Sequence, residues 1–294
     1  MLDFRIQTFL SVCKHLNFTT AAEELHITQP AVSQHIRYLE HLYQTELFTR
    51  DGKKIELTAA GEILLATMTV LRNDEQAMIK RMQLCRKGKR KLIFGVTKTI
   101  GEYVIAAPLA RYLKLHPETD IHIQSGNTST LLECLHDGNM DFALVEGYFK
   151  SDDYETMVFR SEAFLPVCAT NHIFARKVTE LKDLTPERLI VREHGSGSRD
   201  ILERNLAVNN IQVSDFAHIV EVENVHTIVS LLRQDCGISF LYEAAVRHEL
   251  NKGKLKVIPL TNFHMKHDFT FLWNKGSSFS EEYRRICREL TGNE

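Results

Sequence analysis

The sequence of 294 residues lacks any apolar run long enough to cross a membrane. Runs such as Ile63–Ala66 fall far short of the roughly 20 residues that a spanning helix needs. The N-terminus also lacks a charged segment followed by an apolar one, so we expect a cytoplasmic protein. Hydrophobic residues make up 44% and charged residues 25% of the chain, as in soluble globular proteins, which excludes a disordered or fibrous chain.

Paired cysteines and catalytic signatures are missing too. None of the six cysteines lies close to another and there is no Cys-x-x-Cys, which favours reduced, buried thiols. Oxidation sensing by Cys168 and Cys236 is an alternative, but their places in or beside predicted strands argue against it. The chain has no nucleophile elbow, metalloprotease, phosphate-loop or dinucleotide motif, and His264 and His267 lack a third metal ligand. We therefore expect no enzyme, no cofactor and no metal site.

The charge of the chain is unevenly distributed along its length. Residues 1–91 hold 14 Lys and Arg against 10 Asp and Glu, whereas residues 92–294 hold 22 against 28. A basic N-terminal third joined to an acidic remainder indicates one part that faces a polyanion and a separate second part.

Residues 21–39 have the pattern of a helix-turn-helix. In the predicted second helix, residues 29–40, the side chains of Gln29, Ser33 and Arg37 are spaced four apart and share one exposed face. Gln can pair with adenine in the major groove, and Arg with guanine or phosphate. The alternative is an ordinary packing unit whose polar face is solvated or contacts another protein, because such shapes also occur without DNA.

A hairpin and a long helix follow the helix-turn-helix. The Asp-Gly pair within residues 48–57 predicts a hairpin, with Lys53 and Lys54 at its tip placed for a phosphate or minor-groove contact. A helix is predicted from about residue 59 to 86. Apolar residues recur along it every seven positions, at Leu64, Leu71, Met78 and Cys85. Such a repeat predicts pairing with a helix of a second copy, the alternative being packing within the chain. The polar segment 86–91 then reads as a linker.

From residue 92 onward, β-rich runs alternate with helical runs, which predicts an α/β fold with helices covering parallel sheets. The size of this part favours two lobes with a cleft between them. The predicted helices are about 101–115, 129–137, 199–209, 224–235, 242–251 and 280–290. The nine predicted strands are Leu92–Val96, Ile121–Ser125, Asp141–Glu146, Phe164–Ala169, Leu189–Arg192, His218–Val222, Ile238–Tyr242, Val257–Leu260 and Phe269–Trp273.

The N-terminal part closely resembles the LysR-type transcriptional regulators. The resemblance rests on Phe9, Val12, Phe18, Ala21-Ala22, Leu25, Thr28–Ser33, Ile36, Leu39-Glu40, Leu47-Phe48, Arg50 and Leu57–Gly61. One departure is Gln44, where the family usually has a glycine that permits a left-handed backbone. The resemblance implies contacts with double-stranded DNA from Thr28, Gln29, Pro30, Ser33, Gln34, Arg37, Arg50, Lys53 and Lys54.

The resemblance extends more weakly over the rest of the chain and implies its layout. A winged helix-turn-helix would occupy residues 1–58, and a dimerising linker helix with a hinge residues 59–91. A two-lobed effector domain similar to a periplasmic binding protein would occupy residues 92–294. Lobe I would span about 92–161 and 268–294, and lobe II about 162–267.

The resemblance also places a small-molecule effector between the lobes. Parallel strands favour ligand sites beyond their carboxyl ends, and polar residues at helix starts favour anions. A plainer reading makes Thr99, Thr128 and Ser198 N-caps of their helices. Glu146 counts against a bare oxyanion. The implied effector residues are Thr97, Lys98, Thr99, Ile100, Gly126, Asn127, Thr128, Glu146, Gly147, Ser196, Gly197, Ser198, Arg199 and Asn224.

Short matches around Thr99–Tyr103, Gly126–Thr128 and Leu144–Gly147 resemble the branch of the family that controls sulfur assimilation or carbon fixation. The family implies a homodimer or homotetramer that binds DNA and an effector, with RNA polymerase as a further candidate partner and no membrane contact. Two alternatives remain. One is a small-molecule binding module whose N-terminal helices serve protein contacts, and the other is a redox-sensing regulator.

Overall fold

The computed structural model describes residues 2–51, 54–85 and 90–292. They divide into two compact units, the first comprising Met1–Gln83, His136–Gly138 and Gly276–Ser278, and the second the remainder from Leu84. Lys53 and the hinge residues 86–89 lie outside the described residues, as does the side chain of Arg50. Among the described helices, none is long and apolar enough to span a membrane.

The N-terminal elements are three short helices, a two-stranded hairpin and one long helix. They are α1 (Phe4–His15), α2 (Phe18–Glu24), α3 (Gln29–Tyr43), β1 (Phe48–Asp51), β2 (Lys54–Leu57) and α4 (Ala59–Cys85). The hairpin strands pair antiparallel, with Phe48 opposite Leu57. The helix-turn-helix, the hairpin and the long helix predicted from the sequence are therefore all present.

Polar side chains fix the starts of these helices. The Asn17 side chain accepts hydrogen bonds from the amides of the first turn of α2, and the Thr28 hydroxyl accepts one from the first turn of α3. The Thr58 hydroxyl accepts a hydrogen bond from the Gly61 amide at 3.0 Å. Helix α3 ends at Gln44, whose φ of 53° is left-handed. This is the conformation that the usual glycine of the family would adopt without strain.

The buried face of α3 packs with α1 and α2 into one apolar core. Val32 and Ile36 of α3 are buried against Phe9 of α1, and Leu64 of α4 joins them. Leu64 thus packs within its own chain, which is the alternative to helix pairing. Further along α4, Leu71 and Met78 are exposed and stay available to a second helix, while the side chain of Cys85 lies outside the described residues.

The second unit is built on a nine-stranded mixed sheet with helices around it. The strand order is β4-β3-β5-β11-β6-β9-β7-β8, and β10 pairs with β6. The helices are α5 (Lys98–Tyr103), α6 (Ala106–Leu115), α7 (Thr128–His136), α8 (Gly197–Val208), α9 (Val225–Arg233), α10 (Glu243–Asn251) and α11 (Ser280–Thr291). The strands are β3 (Arg90–Thr97), β4 (Thr119–Gly126), β5 (Phe142–Val145), β6 (Tyr154–Ala169), β7 (Arg188–Val191), β8 (His218–Glu221), β9 (Ile238–Tyr242), β10 (Leu255–Val257) and β11 (Met265–Asn274).

Two long strands join the parallel parts of this sheet. Strands β4, β3 and β5 run parallel, as do β8, β7 and β9, while β6 and β11 pair antiparallel between the two sets. The prediction of parallel sheets alone is therefore incomplete. Strand β6 begins ten residues before the predicted start at Phe164. The prediction misses its first half because charged and polar residues there interrupt the apolar pattern. The predicted boundary between the lobes, after residue 161, falls inside it.

Three other boundaries differ from the prediction. The single helix expected over 101–115 is two helices, α5 and α6, separated by a turn at Val104 and Ile105. Strand β10 ends at Val257, where the predicted strand begins. Strand β3 begins at Arg90, so the last two residues of the predicted hinge belong to the sheet.

Candidate DNA-binding surface and ligand site

The face of α3 opposite the core presents the predicted DNA-contacting residues. Gln29, Gln34 and Arg37 are exposed, and Ser33 is half-buried. Thr28 and Pro30, at the start of the helix, are exposed as well. The Gln29 amide donates a hydrogen bond to the Ser33 hydroxyl at 2.9 Å. One helical turn therefore displays two coupled polar groups of the kind that read base edges.

The hairpin adds a second exposed element beside α3. Lys54 of β2 is exposed, and its ammonium pairs with the Glu56 carboxylate at 2.6 Å. Exposed ion pairs are weak, so this pairing leaves the Lys54 ammonium open to exchange with a phosphate. The predicted contacts of Lys54 and of α3 lie on one folded unit.

In the second unit, two pairs of parallel strands, β3 with β5 and β7 with β9, end in buried polar residues. Thr97 ends β3, Glu146 follows β5, Arg192 follows β7 and Tyr242 ends β9, and each side chain is at most 4% exposed. Ligands of open α/β sheets bind beyond these carboxyl ends. Within the described residues, one polar atom of each side chain lacks a hydrogen-bond partner: Thr97 Oγ1, Glu146 Oε2, Arg192 Nη1 and Tyr242 OH. Buried polar groups are normally paired, so this set indicates a ligand site.

Glu146 is the most tightly held member of this set. The Thr99 hydroxyl donates a hydrogen bond to Glu146 Oε1 at 2.9 Å, and the Thr128 hydroxyl donates one to the Glu146 carbonyl at 2.7 Å. Burial raises the pKa of the Glu146 carboxyl to about 7, against the opposing effects of the Thr99 hydrogen bond, the Arg192 charge and the nearby Thr97 hydroxyl. The carboxyl can therefore hold a proton near neutral pH.

Glycines allow close approach between the segments predicted to form the site. A Cβ on Gly147 would lie 2.6 Å from the Gly197 Cα, and one on Gly197 would lie 2.3 Å from the Glu146 carbonyl oxygen. Any side chain at either position would collide with backbone, so the end of β5 and the start of α8 require glycine to approach. A Cβ on Gly195 would lie 3.4 Å from the Asn127 amide nitrogen.

Charged side chains surround the cluster. The Lys98 ammonium lies 3.0 Å from a Glu193 carboxylate oxygen and 3.1 Å from one of Glu223. Glu193 also pairs with Arg192 at 2.8 Å. Arg199, predicted to contact the effector, is buried, and its guanidinium pairs with carboxylates of α8 and β8 and with the Arg192 carbonyl. Its hydrogen bonds thus stabilise the protein's own structure.

The reading of Thr99, Thr128 and Ser198 as N-caps is wrong. The N-caps of α5 and α8 are Thr97 and Ser196, and the Ser198 hydroxyl bonds to that of Ser196 at 3.0 Å. The Asn127 side chain accepts the hydrogen bond from the first turn of α7 instead. The Thr99 and Thr128 hydroxyls are thereby free to hold Glu146.

Three other residues predicted to contact the effector have structural roles. Asn224 is exposed and caps α9 by accepting a hydrogen bond from the Thr227 amide at 2.9 Å. Ile100 is fully buried in the apolar core, and Gly126 pairs with Thr97 across the sheet.

Sequence reasoning missed Arg192 and Tyr242. Both stand at the carboxyl end of a predicted strand, which is the criterion that selects Thr97 and Glu146. Applied to every strand, that criterion would have found them.

The two cysteines considered as oxidant sensors differ in their burial. Cys168 is fully buried on β6, and burial raises the pKa of its thiol to about 11, which suppresses the reactive thiolate. Cys236 is half-buried between α9 and β9. The environment of Cys168 does not favour oxidation.

Family profiles match both parts of this architecture. A profile described as "LysR substrate binding domain" matches residues 86–293, and one described as "Bacterial regulatory helix-turn-helix protein, lysR family" matches residues 5–62. The chain belongs to the LysR family. It is a DNA-binding transcriptional regulator with an effector-binding domain, as the resemblance of its sequence implies.

Relatives of the regulator have the same layout. The transcriptional regulator CysL of Bacillus subtilis is 31% identical over 271 residues, covering 91% of this chain and 89% of the relative. A probable RuBisCO transcriptional regulator of Thalassiosira pseudonana is 25% identical, covering 97% and 95%. The regulatory domain of CcmR from Synechocystis, in complex with 2-PG, has a TM-score of 0.61 at 18% identity, covering 70% and 99%. The named regulators support the resemblance to the carbon-fixation branch, and the CcmR domain shows the fold.

Proposed function

We propose that the regulator controls transcription in the cytoplasm in response to a small anionic effector, bound where β3, β5, β7 and β9 end. The observation that carries the proposal is the set of four buried polar atoms without partners at these strand ends. The Arg192 guanidinium supplies positive charge, and the hydroxyls of Thr97 and Tyr242 can donate hydrogen bonds. An anion can accept hydrogen bonds from all three groups.

The relatives support this class of ligand. The CcmR regulatory domain, which shares the fold, is described in complex with 2-PG. A relative named as a probable RuBisCO regulator supports carbon fixation as a candidate target of control.

A second part of the proposal concerns assembly on DNA. The regulator would read its operator through Thr28, Gln29, Ser33 and Arg37, with α4 pairing two subunits. Leu71, Met78, Ile79 and Met82 are exposed on α4, and large apolar side chains grouped on one helix commonly mark an interface. Two winged helices in a dimer would contact two half-sites, and effector binding would change their spacing. A tetramer and a contact with RNA polymerase stay predictions.

A thermal-shift screen of the full-length protein tests the effector. The panel holds sulfate, thiosulfate, phosphate, O-acetylserine, sugar phosphates and small carboxylates. A ligand at 100 times its Kd should stabilise the folded state by about 2.7 kcal/mol. A panel in which no compound raises the melting temperature would contradict an anionic effector.

A matched pair of variants locates the binding site. Thr97→Val removes a buried hydroxyl without a partner among the described residues, so it should lower the ligand-induced shift while leaving the protein folded. Thr119→Val changes a buried hydroxyl at the start of β4, which pairs with Arg90 at the end of β3 opposite Thr97, and should preserve the shift. Equal shifts in both variants would place the ligand elsewhere.

A further inference from the structure

A buried carboxyl stands among the groups that would bind the anion, and this needs an explanation. An ionised Glu146 would repel the ligand, and an ionised carboxylate without a full set of partners is costly to bury. The account below rests on the proposed function and concerns the chemical state in which the site binds.

We propose that Glu146 binds the effector in its protonated form, with its carboxyl donating a hydrogen bond to an oxyanion beside Thr97, Arg192 and Tyr242. Binding of the anion is then coupled to the uptake of one proton above neutral pH. Glu146 becomes the residue that selects a ligand rich in hydrogen-bond acceptors.

The hydrogen bonds around Glu146 divide its two oxygens between different tasks. Oε1 accepts from the Thr99 hydroxyl at 2.9 Å, which anchors the carboxyl to α5. Oε2 has no partner within the described residues, and the carboxyl is 1% exposed. The Thr97 hydroxyl lies close enough to lower the pKa of the carboxyl, but it makes no hydrogen bond of full geometry to Oε2. A ligand oxygen would therefore supply the acceptor for a proton on Oε2.

The other three groups without partners favour the same ligand. The Arg192 Nη1 can only donate, and the hydroxyls of Thr97 and Tyr242 can donate. With Glu146 protonated, four donors converge, which suits the several acceptor oxygens of a compact oxyanion. With Glu146 ionised, the ligand would need an ammonium or hydroxyl group beside its negative charge.

The charges facing Glu146 do not hold it ionised. Arg192, after β7, attracts its negative charge, but Arg192 is paired with Glu193, which repels it. Lys98 of α5 is paired with Glu193 and Glu223. Tyr242 of β9 faces Glu146, and burial together with the Glu146 charge raises the pKa of its phenol well above the ordinary value.

The pKa of Glu146 agrees with this arrangement. Burial raises it to about 7, so the carboxyl is close to half protonated at neutral pH before any ligand binds. A bound anion raises the pKa further, because two negative charges in one buried site repel each other. The apparent Kd should therefore increase as the pH rises through neutrality.

Isothermal titration calorimetry of the full-length protein with sulfate and with thiosulfate tests the proposal. Both probes stay fully ionised across the pH range, so any dependence on pH comes from the protein. If only the protonated form binds, Kd should rise about 30-fold between about pH 6 and about pH 8.5. Titrations in buffers of different ionisation heat should show nearly one proton taken up at the higher pH.

Two variants assign the effect to Glu146. Glu146→Gln keeps a neutral donor of similar shape, so it should bind at both pH values with little pH dependence. Glu133→Gln, on the exposed side of α7, should retain the wild-type dependence.

The outcomes separate this inference from the proposed function. Binding of either probe with a pH-independent Kd and no proton uptake in the wild type would overturn the role of Glu146 while leaving an anionic effector in place. The same holds if Glu146→Gln keeps the full pH dependence. No binding of either probe at any pH, together with silence across the thermal-shift panel, would overturn both.

Discussion

Two buried tyrosines allow ligand binding to be separated from folding at the scale of single residues. Within the described chain, the hydroxyls of Tyr242 and Tyr112 both lack a hydrogen-bond partner, but only Tyr242 ends a strand at the site. Removing a buried unpaired hydroxyl spares its desolvation cost, so neither Phe variant should lower the free energy of unfolding. Tyr242→Phe should weaken anion binding about tenfold, the value of one good hydrogen bond.

Denaturant unfolding and ligand titration of both variants check this prediction. Tyr112→Phe should bind the anion as the wild type does. If Tyr242→Phe also binds normally, its hydroxyl does not contact the ligand, and the set of four donors is reduced.

Gln44 gives a prediction about backbone conformation. It ends α3 with φ of 53° and ψ of 38°, a left-handed geometry that costs a residue with a Cβ roughly 1–2 kcal/mol. Gln44→Gly should raise the free energy of unfolding by about 1 kcal/mol, because it relieves this strain. The gain is smaller than the strain itself because glycine has more freedom in the unfolded chain, which opposes folding. Gln44→Ala serves as the control and should bring no gain. Equal stabilisation by Ala and Gly would show that the backbone angle is not the cause.

At the scale of residues, the sequence is sufficient where interactions are local. Asn17, Thr28 and Thr58 cap the helices that follow them, because a cap needs only the next turn. The interpretation of Thr99 and Thr128 as caps failed, because their hydroxyls bond to Glu146, 47 and 18 residues away. Nothing in the local sequence distinguishes these two uses of a threonine.

At the scale of elements, α4 carries the prediction of subunit pairing. Leu71 and Met78 are exposed and seven residues apart, on the stretch of the helix beyond the part that packs on the winged-helix core. Leu71→Glu combined with Met78→Glu should turn the dimer into a monomer, because two charges would have to be buried at the helix interface. Light scattering coupled to gel filtration measures the mass.

A matched control excludes a general effect of added charge on α4. Gln76 and Gln83 are also exposed and seven residues apart. The pair Gln76→Glu and Gln83→Glu should keep the wild-type mass. A monomeric wild type, or dimers of both double variants, would contradict pairing through Leu71 and Met78.

Strands were predicted well where a short apolar run marks them. Ile238–Tyr242 of β9 is such a run, and its bounds agree with the prediction. The first half of β6 mixes charged, polar and apolar side chains without regular alternation, so its composition does not mark it as a strand. It is held by pairing with β11, and pairing partners cannot be read from one segment.

At the scale of the whole molecule, the layout follows from periodicity and composition together with the family resemblance. The alternation of strands and helices after residue 92 indicates an α/β fold, and the residue pattern before it a helix-turn-helix. The sequence did not predict that β6 and β11 join the two sets of parallel strands into one sheet. Three antiparallel pairings separate β5 from β9, so the two sets run in opposite directions and their carboxyl ends meet along β6, where the effector is proposed to bind.

The most direct test of the central claim is DNA binding by the full-length protein. Fluorescence anisotropy would compare DNA from upstream of its own gene with a scrambled duplex of equal length and composition, over a series of salt concentrations. We expect tighter binding of the upstream DNA, with affinity for both duplexes falling as salt rises. Gln29→Ala with Ser33→Ala should reduce the preference by about 1–3 kcal/mol with little change in the salt slope, since neither side chain is charged. Equal affinity of the wild type for both duplexes at every salt concentration would contradict the account.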